Sequence, residues 1–100
     1  MGEVIRIDER RAARTVEPLW REVVGKRLRE RRQSRKSTLT ETAARAGISP
    51  QYLSELERGR KDASSEILAA VVGALGTSMA EIAGQAHQDL SRGGATLLAA

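Results

Sequence analysis

Residues 38–59, TLTETAARAGISPQYLSELERG, constrain this 100-residue chain more than any other stretch. They predict two short helices joined by a tight turn. Thr38 has the hydroxyl of an N-cap, and Glu41 stands three residues on, where a capping box needs it. Ala43, Ala44 and Ala46 keep the first helix slim. Gly47 supplies the left-handed residue that ends it. Ser49 caps a second helix, and Pro50 fits the first helical position, where no N–H is required. Leu53 and Leu56, three apart, mark the inner face. Gln51, Tyr52, Ser54 and Glu55 are left to point outward, and Gly59 stops the helix.

The flanks supply three further helices. Residues 1–16 are charged and aperiodic, which reads as a flexible arm. Helix 1 is expected from Pro18 to Arg35, with Glu17 near its positive end. Trp20, Val24 and Leu28 recur every four residues and form one buried stripe. Lys36, Ser37 and Thr38 link it to helix 2. After helix 3 comes a basic loop, GRKDAS. Ser64 caps helix 4, whose core residues are Ile67, Leu68, Val71, Val72 and Leu75, and Gly76 ends it. Ser78 and Glu81 form a second capping box, opening helix 5, where Met79, Ile82 and Ala83 pack. Beyond Gly84 the Ala/Gln/Gly-rich chain reads as a frayed extension. The division is therefore 1–16 arm, 17–84 folded domain and 85–100 extension.

Composition narrows the function. The net charge is +4, but its distribution is uneven. Residues 1–62 hold 16 Lys/Arg against 10 Asp/Glu, and residues 63–100 hold 1 against 3. The positive charge thus lies in the part of the chain that contains the two short helices, as an anionic partner demands. There is no cysteine, which excludes disulfides, thiolate metal sites and cysteine nucleophiles and fits the cytoplasm. No apolar run reaches the roughly 20 residues of a membrane span, and the arginine-bearing N-terminus has no apolar core of a secretory signal. His87 is the only histidine and has no cysteine or clustered carboxylate beside it, so it reads as a surface residue; no metal or cofactor is expected. Ser54, Ser64 and Ser65 lack a His/Asp constellation, and no GxxxxGKS or GxGxxG run occurs, so an enzyme is not expected.

A slim helix, a glycine turn and a capped helix with a polar face form the device that enters a DNA major groove. Ala43, Gly47, Ile48, Ser49, Leu53, Leu56, Glu57, Arg58 and Gly59 carry a resemblance to the Cro/C1-type (XRE) helix-turn-helix regulators, over roughly residues 22–83. The run ISPQYLSELERGRKDASSEILAAVVGALG is similar to the Clp gene regulators of actinobacteria. The resemblance implies an all-α, five-helix, lambda-repressor-like domain. It places base reading on Pro50, Gln51, Ser54 and Glu55. Gln51 suits adenine, Glu55 a cytosine amino group, and Pro50 only apolar touch, as on a thymine methyl. DNA backbone contacts fall on Arg32, Thr38, Ser49, Tyr52, Arg58, Arg60 and Lys61, aided by amides of Thr38, Leu39, Ser64 and Ser65 at helix starts. Tyr52 also reads as a core-edge aromatic, and Trp20 as core or dimer anchor. Relatives pair an arginine late in helix 1 with the glutamate before Arg-Gly; here these are Arg32 and Glu57. Three positions depart from the pattern. Leu39 replaces a usual glutamine, Thr42 a usual leucine, and Ser37 stands where an apolar residue is common.

These readings converge on a cytoplasmic, nucleoid-associated transcription regulator. It binds double-stranded DNA as a homodimer and controls Clp protease or related stress genes. Helix 5, the tail and Trp20 are candidates for the dimer interface. Arg6, Arg10 and Arg11 are candidates for minor-groove tracking. Leu98, Ala99 and Ala100 resemble a Leu-Ala-Ala degradation tag, which makes Clp protease itself an expected partner. The alternatives are an antitoxin, which would carry a toxin partner, and a protein-interaction module that docks on transcription machinery.

Overall fold

Short polar signals start most of the helices, and a left-handed residue ends the first four. The computed structural model describes residues 19–99, with side chains to Arg92. Five helices follow in order: α1 Trp20–Ser34, α2 Leu39–Ala46, α3 Pro50–Glu57, α4 Ser65–Ala74 and α5 Met79–Ala99. No strand occurs among the described residues. The fold is all-α, as expected. Pro18, Glu17, the arm with Arg6, Arg10 and Arg11, and Ala100 lie outside the described residues, as do the side chains of Leu98 and Ala99.

Thr38 Oγ1 accepts from the Glu41 N–H at 3.0 Å, and the Glu41 carboxylate accepts from the Thr38 N–H at 3.1 Å. That backbone donor holds the Glu41 carboxyl below its usual range. Ser49 Oγ accepts from Tyr52 N–H at 3.0 Å, and Ser64 Oγ from Ile67 N–H at 3.2 Å. The box at α5 is only half made. Ser78 Oγ accepts from Glu81 N–H, but the Glu81 carboxylate takes the Thr77 hydroxyl instead of the Ser78 N–H.

The core is aliphatic. Val23, Val24 and Leu28 of α1 meet Ala43, Leu53, Leu56, Val71, Val72, Leu75, Ile82 and Ala86. Full burial of each leucine contributes about 1.5–3 kcal/mol before chain entropy is counted. α1 packs on α3 and α5, α2 on α3 and α4, and α4 on α5. Two expected core residues are more open. Trp20 is 47% exposed and Met79 37%. Trp20 occupies the first turn of α1, at the rim of a shallow cleft over Val24, Leu28 and Leu68, while Val23 takes the buried place beside Val24. Ile67 and Leu68 are half-buried.

Gly25 explains how α1 reaches α3. A Cβ there would overlap the carbonyl oxygen of Leu56 and lie 2.7 Å from that of Glu57. Gly59 approaches from the other side: its φ is 71°, and a Cβ would sit 2.6 Å from the Glu22 Cα. The backbones of α1 and of the end of α3 are therefore in direct contact. A mid-helix glycine costs about 1 kcal/mol relative to alanine, which this approach offsets.

α5 differs from the frayed extension expected beyond Gly84. It continues unbroken to Ala99, and Ala86 is fully buried. Asp89 faces α1 and accepts from Arg27 Nε and Nη2, both at 2.6 Å, and from Arg92 Nη2 at 2.7 Å. One glycine without a helix-ending partner pattern cannot stop a helix whose next turns find a buried alanine and a paired carboxylate.

Two predictions concern these contacts. Gly25→Ala should lose about 2–3 kcal/mol in urea denaturation, because the methyl would have to push α1 off α3. Stability within about 0.5 kcal/mol of the parent would show that the crossing is not tight. The second concerns acid. The Arg27 guanidinium, helped by Arg92 and opposed by burial, holds the Asp89 carboxyl down to about 2. A depressed carboxyl contributes stability above its unfolded pKa and loses it as pH falls through the folded value, here between about pH 4 and 2. Asp89→Asn should cost about 1 kcal/mol at pH 7, discounted for solvent screening. The gap to the parent should close across that acid window, followed by thermal melting. A gap independent of pH would exclude the ion pair as its source.

Candidate nucleic-acid interface

α2 and α3, each of eight residues, are set by the Gly47 turn, whose φ is 74°. Ile48 N–H bonds to the Ala43 carbonyl at 3.0 Å and closes that turn. Leu53 and Leu56 anchor α3 in the core, with Leu53 fully buried. The amino end of α3 is thereby left facing out. Ser49, Pro50 and Gln51 are exposed, and Tyr52, Ser54 and Glu55 are half-buried. Tyr52 also packs against the core cluster, in keeping with an aromatic at its edge.

The arginine–glutamate pair inferred from the resemblance is present and bidentate. Arg32 Nε donates to Glu57 Oε2 at 2.7 Å and Nη2 to Oε1 at 2.9 Å, with side chains only 12% and 5% exposed. Glu57 raises the guanidinium's pKa against an opposing desolvation. Arg32 Nη1 also donates to the Ser37 carbonyl at 3.0 Å. Three of its five N–H groups are thus spent inside the protein, which leaves little of the fork for a phosphate. Buried pairs of this kind fix orientation more than they add net stability.

Other arginines of α1 also bond within the fold. Arg21 Nε donates to the Gly59 carbonyl at 2.9 Å, while Arg31 reaches the carbonyls of Leu75 at 3.1 Å and Gly76 at 2.9 Å. These cations cap the ends of α3 and α4, where the helix dipoles favour positive charge. The charge bias toward residues 1–62 is therefore partly structural. Arg58, Arg60 and Lys61 are exposed in the loop after α3. Arg58 and Arg60 make no ion pair among the described residues. Lys61 lies 3.7 Å from Glu55, so a residue assigned to base reading and one assigned to the backbone neutralise one another in part. The amide of Thr38 is not free for phosphate, because Glu41 takes it.

The two polar departures on either side of helix 2's start turn out to be partners. Ser37 Oγ lies 2.7 Å from Thr42 Oγ1, and Thr42 is 1% exposed. With Arg32 on the Ser37 carbonyl, one network ties α1, the α1–α2 turn, α2 and the end of α3. Taken singly, each residue thins an apolar contact; their spacing, five apart across a helix start, was the unused signal. Gly25 and Arg21 were also missed, although a lone glycine within a helical run flags a close approach. Among the described residues, no group of three His, Cys, Asp or Glu able to hold a metal occurs, and no single helix is long and apolar enough to cross a membrane.

Five helices with a slim second and a capped third, joined by a left-handed glycine, define a helix-turn-helix module. A family model described as helix-turn-helix matches residues 28–82, and the chain belongs to that family, in its Cro/C1 (XRE) branch. The transcriptional regulator ClgR of Mycobacterium tuberculosis (strain ATCC 25618 / H37Rv) is 45% identical over 74 residues, covering 74% of this chain and 66% of the relative. The chain thus spans just under two thirds of that curated relative. A crystal structure of the clp gene regulator ClgR from Corynebacterium glutamicum superposes with a TM-score of 0.76 at 48% identity, over 80% of this chain and 85% of that one. The immunity repressor protein of Bacillus phage phi105 is 40% identical over 62 residues, covering 62% of this chain and 43% of the relative.

The hydroxyl pair yields an asymmetric prediction. Ser37→Ala strands the buried Thr42 hydroxyl and should cost about 1–2 kcal/mol. Thr42→Val should cost less, and the double variant should be more stable than Ser37→Ala alone. Strict additivity in denaturant titrations would argue against the pair.

Proposed function

We propose that this chain is a sequence-specific DNA-binding regulator of transcription, acting in the cytoplasm on genes of the Clp protease system. The observation that carries the reading is the exposed amino end of α3. Pro50 and Gln51 project from a helix whose other face is locked to α1 by Gly25 and Arg32–Glu57. A helix held this rigidly at its carboxyl end and open at its amino end suits the major groove. The ClgR likeness supports the choice of target genes.

The division of labour follows from chemistry. Gln51 has the amide to bond bidentately to adenine, and Glu55 the carboxylate to accept from cytosine. Ser54 and Pro50 border them. Arg58, Arg60 and Lys61 meet the sugar-phosphate backbone, with Ser49, Thr38 and Tyr52 at its edge. Arg32 acts chiefly by orienting α3. One eight-residue reading helix covers few base pairs, so two copies on an inverted repeat supply the affinity a regulator needs.

Selection from a random duplex pool at two salt concentrations tests the reading. The expected product is an inverted repeat, with matches upstream of Clp protease genes. Binding that recovers no sequence and vanishes at the higher salt would reject it and favour a protein-interaction module. On the selected site, Gln51→Ala should relax preference at one base pair by about 1–3 kcal/mol and leave the salt slope unchanged. Arg60→Ala should weaken every duplex about equally.

A further inference from the structure

Four helices of this domain end on the same backbone pattern, and only one of the four left-handed residues carries a side chain. After α2, α3 and α4 the left-handed residue is Gly47, Gly59 and Gly76, with φ of 74°, 71° and 67°. After α1 it is Lys36, with φ of 56°. The hydrogen bonds are otherwise alike. Lys36 N–H bonds to the Gln33 carbonyl at 3.0 Å and Ser37 N–H to the Arg32 carbonyl at 3.1 Å, as Gly59 N–H bonds to Leu56 and Arg60 N–H to Glu55.

The conformation itself has a structural reason. It turns the Ser37 carbonyl toward Arg32 and the Ser37 hydroxyl toward Thr42. The identity of the residue does not. Glycine adopts this geometry freely, whereas a Cβ there crowds the neighbouring carbonyl. Lys36 is exposed, and among the described residues its ammonium makes no hydrogen bond or ion pair. Neither packing nor pairing compensates the strain. Strained backbone of this kind persists where the surrounding structure over-determines it, and it clusters at functional sites.

We propose that Lys36 is a phosphate-contacting residue, kept in a strained position because its ammonium group binds the DNA backbone flanking the site read by α3. This rests on the DNA-binding reading above. The turn that bears Lys36 immediately precedes Thr38, the cap of α2, and in a helix-turn-helix the helix before the reading helix crosses the sugar-phosphate backbone. Its position relative to α3 is fixed through Ser37, Arg32 and Glu57. A flexible stem with a compact charge on a rigid turn suits a phosphate and carries no base information.

Lys36→Gly and Lys36→Arg in the full chain test this with two readouts of opposite sign. Lys36→Gly should raise the urea midpoint, because the strain is gone. It should also weaken binding to a labelled 30-base-pair duplex of any sequence about 3–10-fold near 0.1 M salt, with the slope of log affinity against log salt shallower by about 0.9 per bound chain. Lys36→Arg should keep the parent's slope. A Lys36→Gly protein with the parent's affinity and slope would overturn the proposal, as would a lowered urea midpoint, which would make Lys36 structural. A parent chain that binds no duplex at either salt would overturn the DNA-binding reading itself, whereas the other failures leave that reading standing.

Discussion

The crossing of α1 over the end of α3 is the contact on which the rest of the structure depends. Two glycines, Gly25 and Gly59, let the backbones meet where side chains would hold them apart. Within that approach the Arg32–Glu57 fork closes over the same helix end, and Arg21 adds a bond to the Gly59 carbonyl. Steric contact sets the distance and the charged fork sets the rotation. Neither alone would aim the amino end of an eight-residue helix, because a short helix seated only by Leu53 and Leu56 is free to roll about its apolar seam.

α1 serves as the organiser of the domain through its polar residues as much as its apolar ones. Arg21, Arg31 and Arg32 bond to backbone carbonyls at the ends of other elements, and Arg27 holds α5 through Asp89. A guanidinium presents donors in a rigid fork, so Arg21 and Arg31 directly satisfy carbonyls that the ends of α3 and α4 leave open. Basic residues that look from composition like a uniform anion-binding surface therefore divide into two populations. One closes helix ends; the other, including Arg58 and Arg60, is left to solvent.

Most helix starts and stops were legible in the sequence because they are local. A hydroxyl three residues before an amide, or a glycine after an apolar turn, is decided within one helical turn; hence Thr38, Ser49, Ser64, Gly47, Gly59 and Gly76 stand where expected. The reach of α5 was not legible, since it is set by Ala86 and Asp89 meeting α1, more than 50 positions away. The exposure of Trp20 was hidden for the same reason: a period of four shows which residues share a face, not how far the neighbouring helix extends along it. At the site, Arg32–Glu57 was accessible only through the family resemblance. The Ser37–Thr42 pair was visible as two anomalies but not as one bond.

The brevity of α2 and α3 has a consequence for how the protein responds to stress. Helices of eight residues lie well below the roughly 12–15 at which an isolated helix becomes marginally stable in water. Neither persists without α1, α4 and α5 around it. The exposed amino end of α3 is therefore presented by the folded domain and not by α3 alone. Loss of a distant contact, such as Asp89 against Arg27 of α1, lowers the fraction of folded molecules without touching the exposed face of α3. Heat or acid would act as a dial on active concentration rather than on specificity.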